Sequence, residues 1–196
     1  MESTYVRVGT DLIEVVQLLR NPVLDEVFRA LTRLGQAPAF VAVALAMTLV
    51  CRQRWLGLAV LGLYFVSSPL NSELKDLLDV PRPDPGEVDV LADESGSATP
   101  SGHAMNGGAV WFFAALVASG GWRYLLAGVP LVVAFSRVYL GVHYPGDVVL
   151  GLAIGGLLAV VVFIGLRRAG LIGAQGPGGF GTETQVNPLL DKERAG

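Results

Sequence analysis

Five segments that are apolar on every side limit what this chain can fold into. They comprise residues 37–51, 55–70, 104–119, 122–135 and 148–166. A helix needs about 20 residues to cross the hydrocarbon core of a bilayer, so the last segment is nearly long enough by itself and the others need polar flanks. An apolar surface all round a helix is typical of a membrane span or a buried core. We therefore predict an all-α fold, an integral-membrane helical bundle with about five transmembrane helices.

The composition agrees with lipid as the solvent. The 196 residues are 52% hydrophobic and 16% charged, whereas soluble domains carry about 25% charged residues. These values exclude a disordered chain, and a net charge of −3 offers no basic surface for nucleic acid. The single cysteine, Cys51, excludes an internal disulfide bond and a multi-cysteine metal site. We expect membrane lipids, and no nucleic acid, as partners.

The amino-terminal residues 1–36 differ from the apolar segments because their hydrophobic side chains form stripes. One stripe recurs at helical spacing, and its members are Leu12, Val15, Val16 and Leu19. Such a one-sided pattern predicts amphipathic helices that lie at the membrane interface. Asp11, Glu14 and Gln17 interrupt the hydrophobicity of this part of the chain, so no secretory signal peptide is expected.

The chain is thus expected to have three regions. The amphipathic region 1–36 precedes a transmembrane domain at 37–168, and a tail at 169–196 follows it. Six glycines lie between Gly170 and Gly181, which is typical of a flexible tail. Within the last apolar segment, a GxxxG pattern at positions 151 and 155 either lets two helices approach closely or reflects the abundance of glycine in this chain.

Basic residues between the apolar segments predict the orientation in the membrane. They follow the first segment, separate the third from the fourth and close the fifth, as Arg52, Arg54, Arg123, Arg167 and Arg168. The positive-inside rule places these turns in the cytoplasm, although the arginines at positions 7, 20, 29 and 33 count against it. The connections 71–103 and 136–147 then lie on the extracytoplasmic face.

The only two histidines lie in those two connections. His103 follows Pro100, Ser101 and Gly102 directly before the third apolar segment. The first N–H groups of a helix have no internal partners and bind anions, phosphate above all. Ser101 adds a hydroxyl group, and Gly102 lets the backbone approach a ligand closely. An ordinary helix start capped by Ser101 is the alternative.

The second histidine is followed four residues later by a carboxylate. His143 and Asp147 fall on one face of a helix that begins near Pro145. In that arrangement Asp147 holds the Nδ1–H of the ring, and Nε2 is free to act as a nucleophile. Arg137 adds a planar, permanently charged donor that suits phosphate oxygens. The alternative is a simple ion pair between Arg137 and Asp147 at the membrane surface.

Two further cations follow the second apolar segment. Lys75 is one of only two lysines and precedes Arg82 by about two helical turns, so both face one site if the helix continues. Snorkelling at the membrane interface is the alternative for both side chains. Five acidic residues follow between Asp84 and Glu94. We expect a solvated loop there, because the spacing does not match an EF-hand.

Together these motifs resemble a known family. The three parts are Lys75-x6-Arg82-Pro83, Pro100-Ser101-Gly102-His103 and Ser136-Arg137-x5-His143-x3-Asp147. In order and spacing they resemble the signature of the type 2 phosphatidic acid phosphatase superfamily, which includes membrane lipid phosphatases and undecaprenyl-pyrophosphate phosphatases. With the apolar segments, the resemblance covers roughly residues 37–166. Family members commonly have six transmembrane helices, so the amino-terminal architecture is the one departure.

The resemblance implies hydrolysis of a phosphomonoester or pyrophosphate without a metal or other cofactor. His143 would attack phosphorus to give a phosphohistidine, Asp147 would orient it, and His103 would protonate the leaving oxygen. The phosphate-binding groups would be Lys75, Arg82, Ser101, Gly102 and Arg137. The expected substrate is a lipid phosphate or a polyprenyl pyrophosphate, bound at the extracytoplasmic face of the cell membrane.

Two other functions use the same residues. A lipid phosphotransferase would pass the phosphoryl group to an alcohol instead of water. A non-catalytic protein that binds anionic lipid headgroups would need Lys75 and Arg82, but it gives no reason for the spacing of His143 and Asp147. The residues select no particular lipid, because contacts to acyl or prenyl chains are generic apolar surfaces.

Overall fold

The computed structural model describes residues 4–172, which form seven α-helices and a short 3-10 turn and, within that range, no strand. The helices are α1 (Thr4–Gln17), α2 (Pro22–Leu31), α3 (Ala37–Val50), α4 (Leu56–Leu78), α5 (Gly102–Val117), α6 (Trp122–Tyr139) and α7 (Pro145–Arg168). The 3-10 turn (Thr32–Gly35) joins α2 to α3. The all-α prediction is confirmed for this part of the chain, and most of the predicted tail, from residue 173, lies outside the described residues.

The five apolar segments form the helices α3 to α7, one segment to each helix. By length and composition, α7 is the one helix of the described part that is able to cross a membrane unaided, with a mean hydropathy of 2.8 over its most apolar window. A second span would arise if residues 22–35 and 37–50, which are bent by 59°, act together as one broken span. The number of five spans therefore stays a prediction.

The amino-terminal helices are amphipathic, as their stripes predict. On α1, Val8, Leu12 and Val15 are exposed, whereas Ile13 is fully buried. Ile13 packs into a cluster with Val138 of α6, next to the beginning of α7. α1 therefore lies across the ends of α6 and α7 and presents an apolar outer face, which suits a helix at a membrane interface.

Two glycines of α7 bring that helix against α5. A Cβ atom on Gly151 would lie 2.7 Å from the carbonyl oxygen of Ser101, and one on Gly155 would collide with that of Met105. On the facing side, a Cβ on Gly108 would lie 3.5 Å from the Cα of Gly155. These contacts favour the close-approach interpretation of the GxxxG pattern. The same contact seam sets the beginning of α5 beside the beginning of α7.

Below this end, the bundle is filled by apolar side chains from the four helices α3, α4, α5 and α7. The fully buried ones include Phe40, Leu56, Val60, Val110 and Phe113. The 3-10 turn packs against α5, and Trp111 Nε1 donates to the carbonyl of Leu34 in that turn at 2.9 Å. Gly35 approaches α5 so closely that a Cβ there would lie 3.0 Å from the Cβ of His103. A side chain at position 35 would therefore displace His103.

Candidate active site

Both histidines lie at the same end of the bundle, although they belong to different connections. His103 is in the first turn of α5, and His143 is in the short connection between α6 and α7. The backbone N–H of Ser101 donates to the carbonyl of Asp147 at 3.1 Å, which ties the beginning of α5 to that of α7. The two rings thus lie in one cluster with the neighbouring arginines.

Asp147 holds His143 in the geometry that the four-residue spacing predicts. Its Oδ2 lies 3.5 Å from Nδ1 of His143 and accepts a 2.8 Å hydrogen bond from the N–H of Tyr144. Its Oδ1 accepts hydrogen bonds from the hydroxyl groups of Thr99 and Tyr5, the latter at 2.5 Å. Asp147 is fully buried, so these donors replace water in stabilising its charge. Nδ1 of His143 faces Oδ2 at a distance longer than an ordinary hydrogen bond, and Nε2 lies on the other side of the ring.

Lys75 approaches the cluster from the end of α4. That helix ends at Leu78, and Asp79 takes up a left-handed backbone conformation with a φ of 41°. The chain therefore turns after Leu78, and the helix does not continue to Arg82. Lys75 Nζ donates at 2.7 Å to the carbonyl of Ser97, which lies in the loop before α5.

Arg82 reaches the cluster through that loop, and the main chain holds its guanidinium group. The group donates at 2.9 to 3.1 Å to the carbonyl oxygens of Ser95, Gly96 and Val142. Its Nη1 also lies 3.4 Å from Nε2 of His143. A permanent positive charge thus stands beside the ring atom that Asp147 leaves free, which suits an anion bound in front of the ring.

Arg137 is almost completely buried and pairs with Glu94 instead of Asp147. Its Nη1 donates to the hydroxyl of Thr32 at 2.9 Å, and its Nη2 forms a hydrogen-bonded ion pair with Glu94. The other oxygen of Glu94 lies 3.7 Å from Arg82 Nη2, and Glu94 Oε1 lies 3.9 Å from Nδ1 of His103. One carboxylate therefore occupies the space between two arginines and a histidine. The alternative of an Arg137–Asp147 ion pair is not formed.

Three side chains of the cluster, two at the beginning of α5 and one at the end of α6, carry buried polar atoms with no hydrogen-bond partner in the described structure. The hydroxyl of Ser101 is buried and makes no side-chain cap, and Nε2 of His103 and Nε of Arg137 are also buried without a partner. A Cβ on Gly102 would lie 2.9 Å from Oδ1 of Asn71, so the backbone is closely approached there. Unpartnered buried polar groups are rare in folded proteins, and these three atoms are able to bond a ligand or a water molecule.

Burial and the neighbouring charges set the protonation states of His143 and Glu94. The pKa of His143 is lowered to about 4, chiefly by burial; the charges of Arg137 and Arg82 act in the same direction, and Asp147 opposes them. Burial raises the pKa of Glu94, but Arg137, His103 and Arg82 outweigh that effect and lower it overall. At neutral pH His143 is therefore an unprotonated imidazole, and Glu94 is an anion.

Several residues of the cluster were not predicted. Glu94 closes the acidic segment that we expected to be solvated. Asp84, Glu87 and Glu94 are all exposed as whole residues, but the side chain of Glu94 is only one-quarter exposed. Thr99 directly precedes the Pro-Ser-Gly-His motif, which was a usable signal. Tyr5 belongs to the amino-terminal helix, and nothing in its local sequence connects it with Asp147.

The described residues offer no metal centre of their own. Among residues 4–172, no three His, Cys, Asp or Glu side chains lie together in a way that would hold a metal ion. An apolar cavity of about 380 Å³ lies lower in the bundle between α3, α5 and the beginning of α6. Ala42, Met47, Trp111 and Leu126 are among its lining residues.

Known proteins resemble this chain in sequence and in structure. Residues 39–170 match the PAP2 superfamily. Phosphatidylglycerophosphatase B of Bacillus subtilis is 35% identical over 159 residues, which are 74% of this chain and 76% of that protein. A lipid A 1-phosphatase of Rhizobium etli is 34% identical over 98 residues, which are 49% of this chain and 41% of that protein.

A solved structure has the same arrangement of helices. It is the crystal structure of a transmembrane PAP2-type phosphatidylglycerolphosphate phosphatase from Bacillus subtilis, which superposes with a TM-score of 0.74 at 30% identity. The alignment covers 85% of this chain and 89% of that one. The chain therefore belongs to the PAP2 superfamily and is an integral-membrane enzyme of the lipid phosphatase class.

Proposed function

We propose that this enzyme hydrolyses the terminal phosphate of a lipid phosphate or polyprenyl pyrophosphate through a phosphohistidine on His143. One observation carries the proposal. Nδ1 of His143 faces the buried carboxylate of Asp147 at 3.5 Å, and Nε2 faces the guanidinium group of Arg82 at 3.4 Å. A nucleophile thus has its orienting group beside one ring nitrogen and a cation for phosphate beside the other, as nucleophilic catalysis of phosphoryl transfer requires.

In the first step, Nε2 of His143 attacks phosphorus. The new P–N bond forms as the P–O bond to the lipid breaks on the opposite side. His103 gives a proton to the leaving oxygen, so the products are a phosphohistidine and a lipid alcohol, or a lipid monophosphate when the substrate is a pyrophosphate. Asp147 stabilises the positive charge that develops on the His143 ring.

In the second step, water attacks the phosphorus of the phosphohistidine. His103 now accepts the proton of that water, the P–N bond breaks, and inorganic phosphate leaves with His143 restored. A single side chain commonly acts first as the general acid and then as the general base in two-step reactions of this kind. The unpartnered, buried Nε2 of His103 supports this role, because it is free to meet a substrate atom.

The cations and the helix start would hold the phosphate. Negative charge spreads over the three equatorial oxygens in phosphoryl transfer, and Lys75, Arg82 and Arg137 converge on that position. The hydroxyl of Ser101 and the N–H of Gly102 at the beginning of α5 are suited to the remaining oxygens. Because these cations can neutralise a phosphate by themselves, we propose that the reaction needs no divalent metal.

Phosphate binding must displace Glu94 in this proposal. Its carboxylate is already paired with Arg137 and lies 3.7 Å from Arg82, the two groups proposed to bind phosphate. A phosphate dianion carries more charge than a carboxylate and offers a third oxygen, so it competes well for the same donors. Glu94 thus keeps the two arginines paired while the substrate is absent.

The location of the site follows the proposed membrane topology. We propose that residues 37–168 form the membrane domain with five spans, and that arginine-rich turns set its cytoplasmic side. The site at the beginnings of α5 and α7 would then face outward from the cell membrane. There a lipid headgroup reaches the site from the outer leaflet.

Phosphate release from defined lipids tests the function. Purified enzyme in detergent would be given phosphatidic acid, phosphatidylglycerophosphate and undecaprenyl pyrophosphate in the presence of EDTA, without an added alcohol. We expect release from at least one lipid, and a His143→Ala variant slower by at least about 10³-fold. Trapping with ³²P-labelled lipid should label the parent enzyme and not the variant.

The opposite results would overturn specific parts of the proposal. Turnover that requires Mg²⁺ would contradict the metal-free mechanism, and a His143→Ala variant with parental activity would contradict the phosphohistidine. Phosphoryl transfer only when an alcohol is added would favour the lipid phosphotransferase, which uses the same residues with a different acceptor.

A further inference from the structure

The amino-terminal helix contacts the proposed catalytic carboxylate through one side chain. The hydroxyl of Tyr5 donates to Oδ1 of Asp147 at 2.5 Å. The same oxygen also accepts from Thr99, whereas Oδ2 serves His143 and the N–H of Tyr144. The two oxygens of the Asp147 carboxylate therefore have different neighbours. Oδ2 faces the proposed nucleophile, and Oδ1 accepts from the two hydroxyl groups, one of which belongs to α1.

Close packing around Tyr5 shows that its place is built into the fold. Its ring meets the ring of Tyr144 edge to face, with 5.6 Å between centroids and 74° between planes. A Cβ on Gly146 would lie 2.8 Å from the Tyr5 hydroxyl, and one on Gly9 would lie 2.5 Å from the Tyr144 ring. Two glycines, one on each helix, thus make room for α1 to lie against the beginning of α7.

The other end of α1 is also fixed to the functional end of the bundle. The Gln17 side-chain amide donates to the carbonyl of Asp89 at 2.8 Å and accepts from the Asp89 N–H at 3.1 Å. Gln17 also donates to the carbonyl of Tyr139 at 3.3 Å, at the end of α6. With both ends held and an apolar outer face, α1 cannot shift along the membrane surface without moving Tyr5.

We propose that Tyr5 is a positioning residue for Asp147, so that the amino-terminal amphipathic helix is part of the catalytic apparatus. The inference rests on the proposed role of Asp147 as the group that orients His143. Tyr5 and Thr99 together fix the rotation of the carboxylate about its Cβ–Cγ bond, because both bind Oδ1. That rotation decides whether Oδ2 meets Nδ1 of His143 or turns aside.

The variant Tyr5→Phe tests this role, because it keeps the ring and removes only the hydroxyl. We expect kcat to fall about tenfold, the scale of one hydrogen bond to a charged group, with KM changed less than twofold, because Tyr5 touches no phosphate-binding group. The matched control is Tyr124→Phe, whose exposed ring lies at the opposite end of α6. The control should keep parental kcat and KM.

A double variant separates positioning from general stability. Tyr5→Phe and Thr99→Val remove the two donors to one oxygen, so their combined loss in kcat should exceed the product of the single losses. Thr99→Ser, which keeps a hydroxyl, should restore most of the activity lost in Thr99→Val. Parental kcat in Tyr5→Phe, strictly multiplicative losses, or a lowered melting temperature that accounts for the lost activity would overturn the proposal. The failure of the proposed function would look different, because the parent enzyme would then release no phosphate.

Discussion

The two histidines of this site have carboxylate neighbours, but those carboxylates are held in opposite ways. Asp147 is fully buried, receives hydrogen bonds from three donors, and lies one helical turn from His143. Glu94 belongs to a loop, keeps a quarter of its side chain exposed, and lies 3.9 Å from Nδ1 of His103. Its principal partner is Arg137, not the histidine.

The two carboxylates differ in whether their positions depend on a bound substrate. Every donor around Asp147 is neutral and belongs to the fold, so the carboxylate keeps its place whether or not a substrate is bound. Glu94 is bound by the cations that are proposed to take up phosphate, so its place depends on what else those cations bind. We therefore interpret the His143 half as preorganised and the His103 half as completed by the substrate.

Replacing Arg137 by lysine should have the largest effect of the three changes, and it acts on the His103 half of the site. The guanidinium group of Arg137 spans Thr32 and Glu94 with two different nitrogens, and an ammonium group cannot reproduce that fork. We expect kcat/KM for lipid phosphate to fall by about 10² to 10³, the usual loss for one transition-state donor. Arg123→Lys, at the other end of the same helix, is the control and should retain parental kinetics. Equal kinetics in the Arg137 variant would show that this arginine is structural only.

Replacing Gly155 by alanine should weaken the contact between α5 and α7, which supports the His143 half of the site. The new Cβ would collide with the carbonyl of Met105 and lie 2.8 Å from the N–H nitrogen of Ala109, so α5 and α7 must separate. We expect a loss of about 1–3 kcal/mol in the free energy of unfolding, visible as a lower melting temperature in detergent. Gly165→Ala lies on the same helix with no neighbour within 4 Å. A control as unstable as the Gly155 variant would contradict the packing explanation.

Replacing Glu94 by glutamine should have the smallest effect, and it tests whether this carboxylate competes with phosphate for the two arginines. Removing the charge leaves Arg137 and Arg82 unpaired in the empty site, so an added anion meets less competition. We expect inorganic phosphate to inhibit the variant at about three- to tenfold lower concentration than the parent, the scale of a partly exposed ion pair. Glu87→Gln, an exposed position in the same acidic segment, serves as the control. Unchanged inhibition in the Glu94 variant would mean that the carboxylate and the phosphate do not compete.

Local patterns predicted most of the elements and several of the site residues. Side chains repeating along one helix or filling all its sides are visible in the sequence, so the helices α3 to α7 and the amphipathic α1 were expected. The spacing of His143 and Asp147 also predicts their contact, because four residues make about one helical turn. By contrast, the spacing of Lys75 and Arg82 is two helical turns only if the helix continues, and nothing before Asp79 marks the turn that ends it.

The contacts of Glu94 and Tyr5 lay beyond prediction for a common reason. Glu94 is one of five acids in a segment without a regular period, and only the folded loop decides which of them meets an arginine. Tyr5 is separated from Asp147 by nearly the whole membrane domain, and its contact requires glycines on two different helices to meet. Long-range contacts of this kind leave no mark in a local pattern.

The amino-acid sequence was sufficient to predict that the protein lies in a lipid membrane, where its helices are, and which residue types are available for its chemistry. Those properties depend on composition and on neighbours a few residues apart along the chain. The folded structure alone shows that Asp147 lies beside His143, that Glu94 pairs with Arg137, and that the first helix reaches Asp147 through Tyr5. A buried charge pairs with the groups that surround it in space, and the packing of helices and loops from distant parts of the chain decides which groups those are.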